Sequence, residues 1–308
     1  MQRRNFIKTA VAGAVAGSLQ LQPAKLFAKA QEQEKTPDLV AVMGGEPVEM
    51  YTKAIEALGG MGKYVKRGQK VVIKPNIGWD RSPEEGANTN PELVAAIVTD
   101  CLKAGASEVV VFDNTCDEWQ ACYRKSGIEA AAKAAGAKIA FGHEEKYYKE
   151  VSLPKGVRLK SAKIHEAILN CDVWFNVPVL KNHGSAKMTI SMKNYMGIVW
   201  DRRVMHANDL QQSIVDVASY AKQPALHIVD AYRMMTQNGP KGKSIEDVQM
   251  GKALFASPDM VAVDTAAVNF FNQIKPMTIA DASHITKGEE MQLGTTKLAN
   301  LKIERIKL

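Results

Sequence analysis

Residues 181–197 read Lys181-Asn182-His183-Gly184-Ser185-Ala186-Lys187-Met188-Thr189-Ile190-Ser191-Met192-Lys193-Asn194-Tyr195-Met196-Gly197, with three lysines, one histidine and no acid. Ammonium, amide and hydroxyl groups at that density suit an anion: a phosphate, a carboxylate or a polyanionic cofactor. If residues 186–195 are helical, Lys187 and Asn194 share a face, and Thr189 and Lys193 form the adjacent row. A helix starting after Gly184-Ser185 would add backbone N–H donors to the same site. The competing arrangement is an exposed amphipathic helix with solvated lysines. Met188, Ile190, Met192, Met196 and Ile198 leave that helix little solvent-facing surface.

Other apolar runs end in similar chemistry. Val71-Val72-Ile73 runs into Lys74-Pro75-Asn76, Val109–Phe112 into Asp113-Asn114, Val173–Leu180 into Lys181-Asn182-His183, and Leu226–Val229 into Asp230. A turn asks for Gly, Asn or Asp, but not for Lys directly after a buried run. Each residue alone reads as a solvated loop position; together they point to a shared cleft. Lys74, Asn76, Lys187, Lys193 and Asn194 are expected to bind the anion or cofactor. His183, His206 and Lys181 are the candidates for proton transfer. Asp230 and Asp264 are candidates to orient a histidine or hold a metal. Asp264 stands amid apolar neighbours, where a helix cap is an equal alternative. His227 reads as a core residue, and His143, His165 and His284 read as surface.

The elements that must position these residues alternate along the chain. Strands are expected at 39–43, 70–74, 108–113, 138–141, 172–180 and 226–230, with a terminal edge strand at 301–308. Helices are expected at 48–58, 91–103, near 128–135, at 210–221 and at 260–274. Asn90 is the expected N-cap of the second helix, with Pro91 in its first turn. Continuous apolar strands separated by helices imply an α/β fold with a mainly parallel sheet covered on both faces. Ligands in such sheets bind outside the carboxyl ends of the strands. The rhythm breaks near 150–160, where either a single domain continues or two lobes meet around a cleft.

The 308 residues include 40 Lys+Arg and 33 Asp+Glu, a formal charge of +7. Five of those bases (Arg3, Arg4, Lys8, Lys25, Lys29) and none of the acids lie in residues 1–30, leaving 35 against 33. That segment has a basic start, a short apolar stretch from Thr9 to Leu21 and a small-residue Ala28-Lys29-Ala30 site. Arg3-Arg4 followed by Phe6 and Lys8 resembles a twin-arginine signal. Cleavage is expected after Ala30, followed by a flexible polar lead-in at 31–37 and an α/β domain over 38–308. The expected location is periplasmic or otherwise exported, with the twin-arginine export machinery as a partner and no stable membrane anchor after cleavage. The charge excess is largely that of the leader, and no basic stripe with interleaved aromatics remains to suggest a nucleic-acid partner.

Cys101, Cys116, Cys122 and Cys171 form no Cys-x-x-Cys pair, so an iron–sulfur cluster or zinc ribbon is not expected. A Cys116–Cys122 disulfide is left open. There is no Gly-x-Gly-x-x-Gly, Walker loop or Gly-x-Ser-x-Gly, which weakens nucleotide binding by the standard cradles and serine hydrolase chemistry.

Several stretches together resemble the domain of unknown function 362 family: Ile73-Lys74-Pro75-Asn76, Thr89–Val94, Val177–His183, Met192–Gly197, His206, Val229-Asp230, Asn238-Gly239-Pro240 and Asp259–Asp264. The resemblance covers roughly residues 70–270 and implies the fold and the pocket; the family has no settled reaction to carry over. Many relatives carry a cysteine-rich, ferredoxin-like segment, which this sequence lacks. A more distant similarity to the nickel-pincer lactate racemase group is secured by no motif of this sequence. The expected function is binding of a small anionic ligand, metal or organic cofactor in a Lys/His/Asn/Asp cleft, with or without its conversion. The alternative is a non-catalytic periplasmic protein that binds a metabolite or serves a redox partner.

Overall fold

The computed structural model describes residues 36–308. They open with β1 (Leu39–Met43), α1 (Pro47–Ala57), β2 (Lys70–Pro75) and α2 (Pro91–Lys103). Then come β3 (Glu108–Val111), α3 (Trp119–Lys125), α4 (Ile128–Ala134) and the short β4 (Lys138–Ile139). The hairpin of β5 (Tyr148–Ser152) and β6 (Ser161–His165) precedes α5 (Glu166–Asn170) and β7 (Val173–Val177). A second hairpin, β8 (Lys181–His183) and β9 (Lys187–Thr189), leads into α6 (Ser191–Asn194). The remainder is α7 (Arg202–Ala207), α8 (Leu210–Ala218), β10 (Leu226–Met235), β11 (Val248–Ser257), α9 (Met260–Asn272), α10 (His284–Glu290) and β12 (Ile303–Lys307).

Eight strands form one sheet in the order β12-β1-β11-β10-β7-β2-β3-β4. All pairings are parallel except those of β11, which runs against both β1 and β10. The expected mainly parallel α/β architecture is therefore present. Its physical basis is visible along single strands. Val71 and Ile73 pack on one face of β2 and Val72 on the other; Phe175 and Trp174 divide the same way on β7. One face is covered by α1, α2 and α4 through Met50, Leu93, Ile97 and Ile128. The other is covered by α6, α8, α9 and α10 through Met192, Ile214, Val261 and Ile285. Burial on both faces removes any reason for polar alternation, so these strands read as continuous apolar runs.

Asn90 caps α2 as expected: its side chain accepts from the backbone N–H groups of Glu92 and Leu93, at 2.9 and 3.2 Å. Residues 36–308 cluster as one unit, and the break near 150–160 is the turn of the β5–β6 hairpin rather than a boundary between lobes. The twin-arginine-type segment, residues 1–30, and the first part of the lead-in lie outside the described residues. Within the described residues no helix is long and apolar enough to cross a membrane.

Candidate functional site

A cleft of about 340 Å³ opens where β2, β3 and β7 end, and the β8–β9 hairpin, α6 and α7 complete its walls. Lys74, Asn76, Asp113, Lys181, His183, Thr189, Lys193, Asn194, Arg202 and His206 all line it. These are the strand-end residues that the sequence pattern singles out, together with the hairpin and helix that follow β7.

Its floor is a buried polar network. Lys74 pairs with Asn176 across β2 and β7, on the face that also carries Val72 and Trp174. The Lys74 ammonium meets Asp113 Oδ1 at 2.8 Å, and both side chains are almost wholly buried. It also donates to Asn194 Oδ1 at 2.7 Å, which accepts from Asn76 Nδ2 at 3.0 Å as well. The Asn194 amide donates to Asn176 Oδ1 at 2.8 Å, and Asn176 in turn bonds His227 Nδ1 at 3.1 Å and the Ser191 carbonyl at 2.9 Å. His227 is thus a satisfied core residue, as its apolar setting suggests. Asp113 Oδ2 accepts from the Ile77 N–H at 2.7 Å, fixing the carboxylate from its other side. A Cβ at Gly197 would collide with Asp113 Oδ1 and with the end of Lys74, so the ion pair rests on bare backbone there.

The Thr89-Asn90-Pro91 stretch braces the end of β2. Thr89 Oγ1 accepts from the Asn76 N–H at 2.8 Å and donates to the Val177 carbonyl at 2.7 Å. Lys181 donates to Asn76 Oδ1 at 3.0 Å and to the Ala87 carbonyl. Burial pushes the Lys181 ammonium down to about 7. With two N–H bonds committed to protein acceptors, the neutral amine is fully satisfied and keeps its lone pair free.

Lys193 differs from the other two lysines. It is half-buried, lines the cleft, and its ammonium has no hydrogen bond or ion pair among the described residues. Burial is the main cause lowering its pKa to about 8, with Arg202 and Lys74 adding to it against the pull of Cys116. Thr189 Oγ1 is likewise buried without a partner while lining the cleft. Both residues line the same cleft and hold unused hydrogen-bonding capacity, whereas buried polar atoms are ordinarily satisfied.

His183 Nδ1 accepts from the Ala186 N–H at 3.2 Å, which leaves Nε2 as the protonated nitrogen of a neutral ring. Burial and the charges of Lys193 and Lys181 push its pKa down to about 2. The hydrogen bond and the lowered pKa both favour a neutral ring with Nε2 as a donor, at a residue the sequence reading makes a candidate for proton transfer. His206 sits exposed at the rim, its pKa lowered by partial burial and by Lys193 and Arg202.

Several expectations are corrected. Residues 186–195 do not form a helix: the β8–β9 hairpin occupies the first part, and α6 begins only at Ser191. Lys187, with φ of 67°, is exposed on the hairpin and does not line the cleft. Asp230 and Asp264 are outside the cleft lining. Asp230 accepts from the Asn90 and Tyr232 N–H groups at 2.7 and 3.0 Å, tying the start of α2 to β10. Asp264, on α9, accepts from the Ser191 and Met192 N–H groups at 2.8 and 2.9 Å. That carboxylate caps α6 from outside and so positions Lys193 and Asn194. Among the described residues no group of three or more His, Cys, Asp or Glu side chains is placed to hold a metal. His165 and His284 are buried, not superficial: His165 bonds the Phe141 carbonyl at 2.9 Å, and His284 Nδ1 meets Gln211 Oε1 at 2.6 Å.

Residues outside the expected set also line the cleft, among them Arg202, Arg203 and Cys116. Arg202 donates to the carbonyls of Asn114 and Thr115 and to Cys116 Sγ, the last at 3.3 Å. It lies four residues before His206 on α7, a spacing that puts both on one face. Cys116 is an exposed free thiol, and it is not joined to the buried Cys122.

A family model for a domain of unknown function, DUF362, matches residues 71–269. The chain is 28% identical over 233 residues to "Thylakoid-associated protein sll1697" of Synechocystis sp., covering 73% of this chain and 70% of that protein. Among solved structures, the lactate racemase apoprotein from Thermoanaerobacterium thermosaccharolyticum aligns with a TM-score of 0.47 at 12% identity, over 77% of this chain. The aligned part spans 57% of that racemase chain. The model match takes in the Lys74, Lys181 and Lys193 segments and well over half of the sequence: the chain belongs to the DUF362 family.

Proposed function

We propose that the protein is exported through the twin-arginine pathway and holds a small anionic ligand in the cleft, where Lys181 moves a proton. One observation carries the binding half of this reading: the unpartnered Lys193 ammonium faces a cleft with Lys74, Lys181, Arg202 and Arg203 against the single carboxylate of Asp113. Because Asp113 is matched by Lys74, the charge balance of the cleft is positive. Repulsion among like charges is relieved when an anion enters, and buried charge-assisted hydrogen bonds are the strong ones. Thr189 Oγ1 and His183 Nε2 would complete the donor set. Lys181, at about 7, exchanges a proton near neutrality, which matches the requirement for general acid–base work. Export is supported by the Arg3-Arg4-x-Phe6-x-Lys8 start and the Ala28-Lys29-Ala30 site.

The test is calorimetric titration of the protein with sulfate, pyrophosphate and small dicarboxylates. At least one is expected to bind, with Lys193→Ala weakening binding roughly tenfold, the scale of one charged hydrogen bond. Absence of binding by every anion, or an unchanged affinity in Lys193→Ala, overturns the reading. Export is checked by replacing Arg3-Arg4 with two lysines and locating the protein in cell fractions; retention inside is expected.

A further inference from the structure

The three cleft lysines are not equivalent, and the difference points to covalent chemistry. Lys74 is bound by Asp113 and Asn194, and Lys181 by Asn76 and Ala87. Such amines can hold or pass a proton, but a new bond to nitrogen would cost them existing contacts. Lys193 has no such contacts to lose. It projects from α6, whose N-terminal amides are held by Asp264, and it is flanked by the bound amines and by Arg202. A lysine amine becomes nucleophilic when it is desolvated beside other cations.

From this geometry, and resting on the anion-binding reading above, we infer that the cleft takes a small anionic carbonyl compound, a 2-oxo acid, and that Lys193 Nζ forms an imine with its carbonyl carbon. The carboxylate would be held by the unpartnered Thr189 hydroxyl and by His183 Nε2. A cleft of about 340 Å³ has room for a small acid of this kind.

The step balances without an outside oxidant or reductant. Lys193 ammonium gives one proton to Lys181, and the freed lone pair forms a C–N bond as the carbonyl π electrons move to oxygen. The oxygen takes a proton and the nitrogen loses one, giving a neutral carbinolamine. The hydroxyl leaves as water, taking the proton returned by Lys181, and the nitrogen lone pair closes the protonated imine. Ammonium plus carbonyl thus becomes iminium plus water. Loss of protons from Lys193 is eased because burial holds its ammonium at about 8.

The experiment treats the whole protein with glyoxylate and sodium cyanoborohydride, which reduces an imine to a stable secondary amine. Peptide mass spectrometry then ranks the lysines by rate of labelling. Lys193 is expected to label at least tenfold faster than Lys103, whose side chain is 74% exposed, and sulfate is expected to protect it. Acetaldehyde, which lacks the carboxylate, is expected to show no preference for Lys193. A Lys193→Arg variant should lose the fast label. Labelling of Lys193 no faster than Lys103, or fast labelling at Lys181 or Lys74 instead, overturns the imine. If sulfate still binds in that case, only this inference fails; if no anion binds, the cleft reading fails with it. Because the ranking is made on the unmodified protein, it stands even if the arginine variant does not fold.

Discussion

Lys74 and Asp113 form a 2.8 Å ion pair between the ends of two adjacent parallel strands, with side chains 1% and 2% exposed. Removing one partner strands the other charge where water cannot reach it. Asp113→Ala is expected to lower unfolding free energy by about 3–5 kcal/mol, the cost of breaking a buried pair. Burial already pulls the Lys74 pKa down against the opposing pull of Asp113, so loss of the carboxylate should drive the lysine neutral. Urea denaturation of Asp113→Ala, Lys74→Met and the double variant closes the cycle. The double variant should be more stable than Asp113→Ala alone; equal or lower stability would mean that the pair is not the source of the loss.

Thr189→Val keeps the shape of the side chain and deletes a hydroxyl that has no partner in the fold. Removing an unsatisfied buried group is neutral or stabilising, whereas most core polar deletions cost ~1 kcal/mol. An unchanged or raised melting temperature is expected, together with at least a fewfold loss of sulfate affinity. A marked fall in melting temperature would show that the hydroxyl is structural.

Lys181 and Lys193 carry opposite signatures for binding and for stability as pH rises. Their folded values, about 7 and about 8, lie below the ordinary lysine value. Sulfate keeps its charge over this range, so its affinity should fall as pH rises from 6 to 9 and the two ammoniums lose protons. The unfolded chain binds more protons than the folded one between those values and about 10.4, so these groups make stability rise with pH there. Lys181→Met is expected to flatten both trends relative to the unsubstituted protein. Calorimetry and urea titration at four pH values test it; parallel curves for the two proteins would contradict the assignment.

Asp264 holds α6 by two backbone bonds, and burial pushes its carboxyl up to about 7. Asn can accept only one of those bonds well and turns an N–H toward the other. Asp264→Asn is expected to cost about 1–3 kcal/mol and to weaken sulfate binding, since α6 carries Lys193. If instead a divalent cation raised the melting temperature of the unsubstituted protein and not of the variant, the metal role suggested by sequence would return.

The sheet was legible wherever burial on both faces left an uninterrupted Val/Ile run, as in Val71-Val72-Ile73, and α2 was legible because Asn90-Pro91 is both a cap and a first turn. The hairpin was not. Met188 and Ile190 stand two residues apart, a strand period, and both are buried; the lysines around them made a helical anion site look more natural. Lys187 was lost from the cleft for that reason. Asp230 misled, and Asp264 took the helix cap that stood as its equal alternative, because an isolated acid in an apolar run has two remedies, a ligand or a set of backbone amides, and local sequence does not distinguish them. His165 and His284 stand among polar neighbours in sequence, but their partners, Phe141 and Gln211, are 24 and 73 residues away. Arg202 required knowing that α7 folds back over the end of β3.

The absence of a side chain at 197 has a consequence for anyone who wishes to reshape this site. Because Asp113 Oδ1 and the Lys74 terminus occupy the space where a Cβ would stand, even alanine there must push apart a salt bridge that lies beneath the ligand space. A randomised library over the cleft should therefore return glycine alone at this position, whatever activity is selected. Variation at His206, which holds nothing else in place, would survive the same screen. The cleft is thus divided into an immutable base and an editable rim, and new specificities would have to be written on the rim.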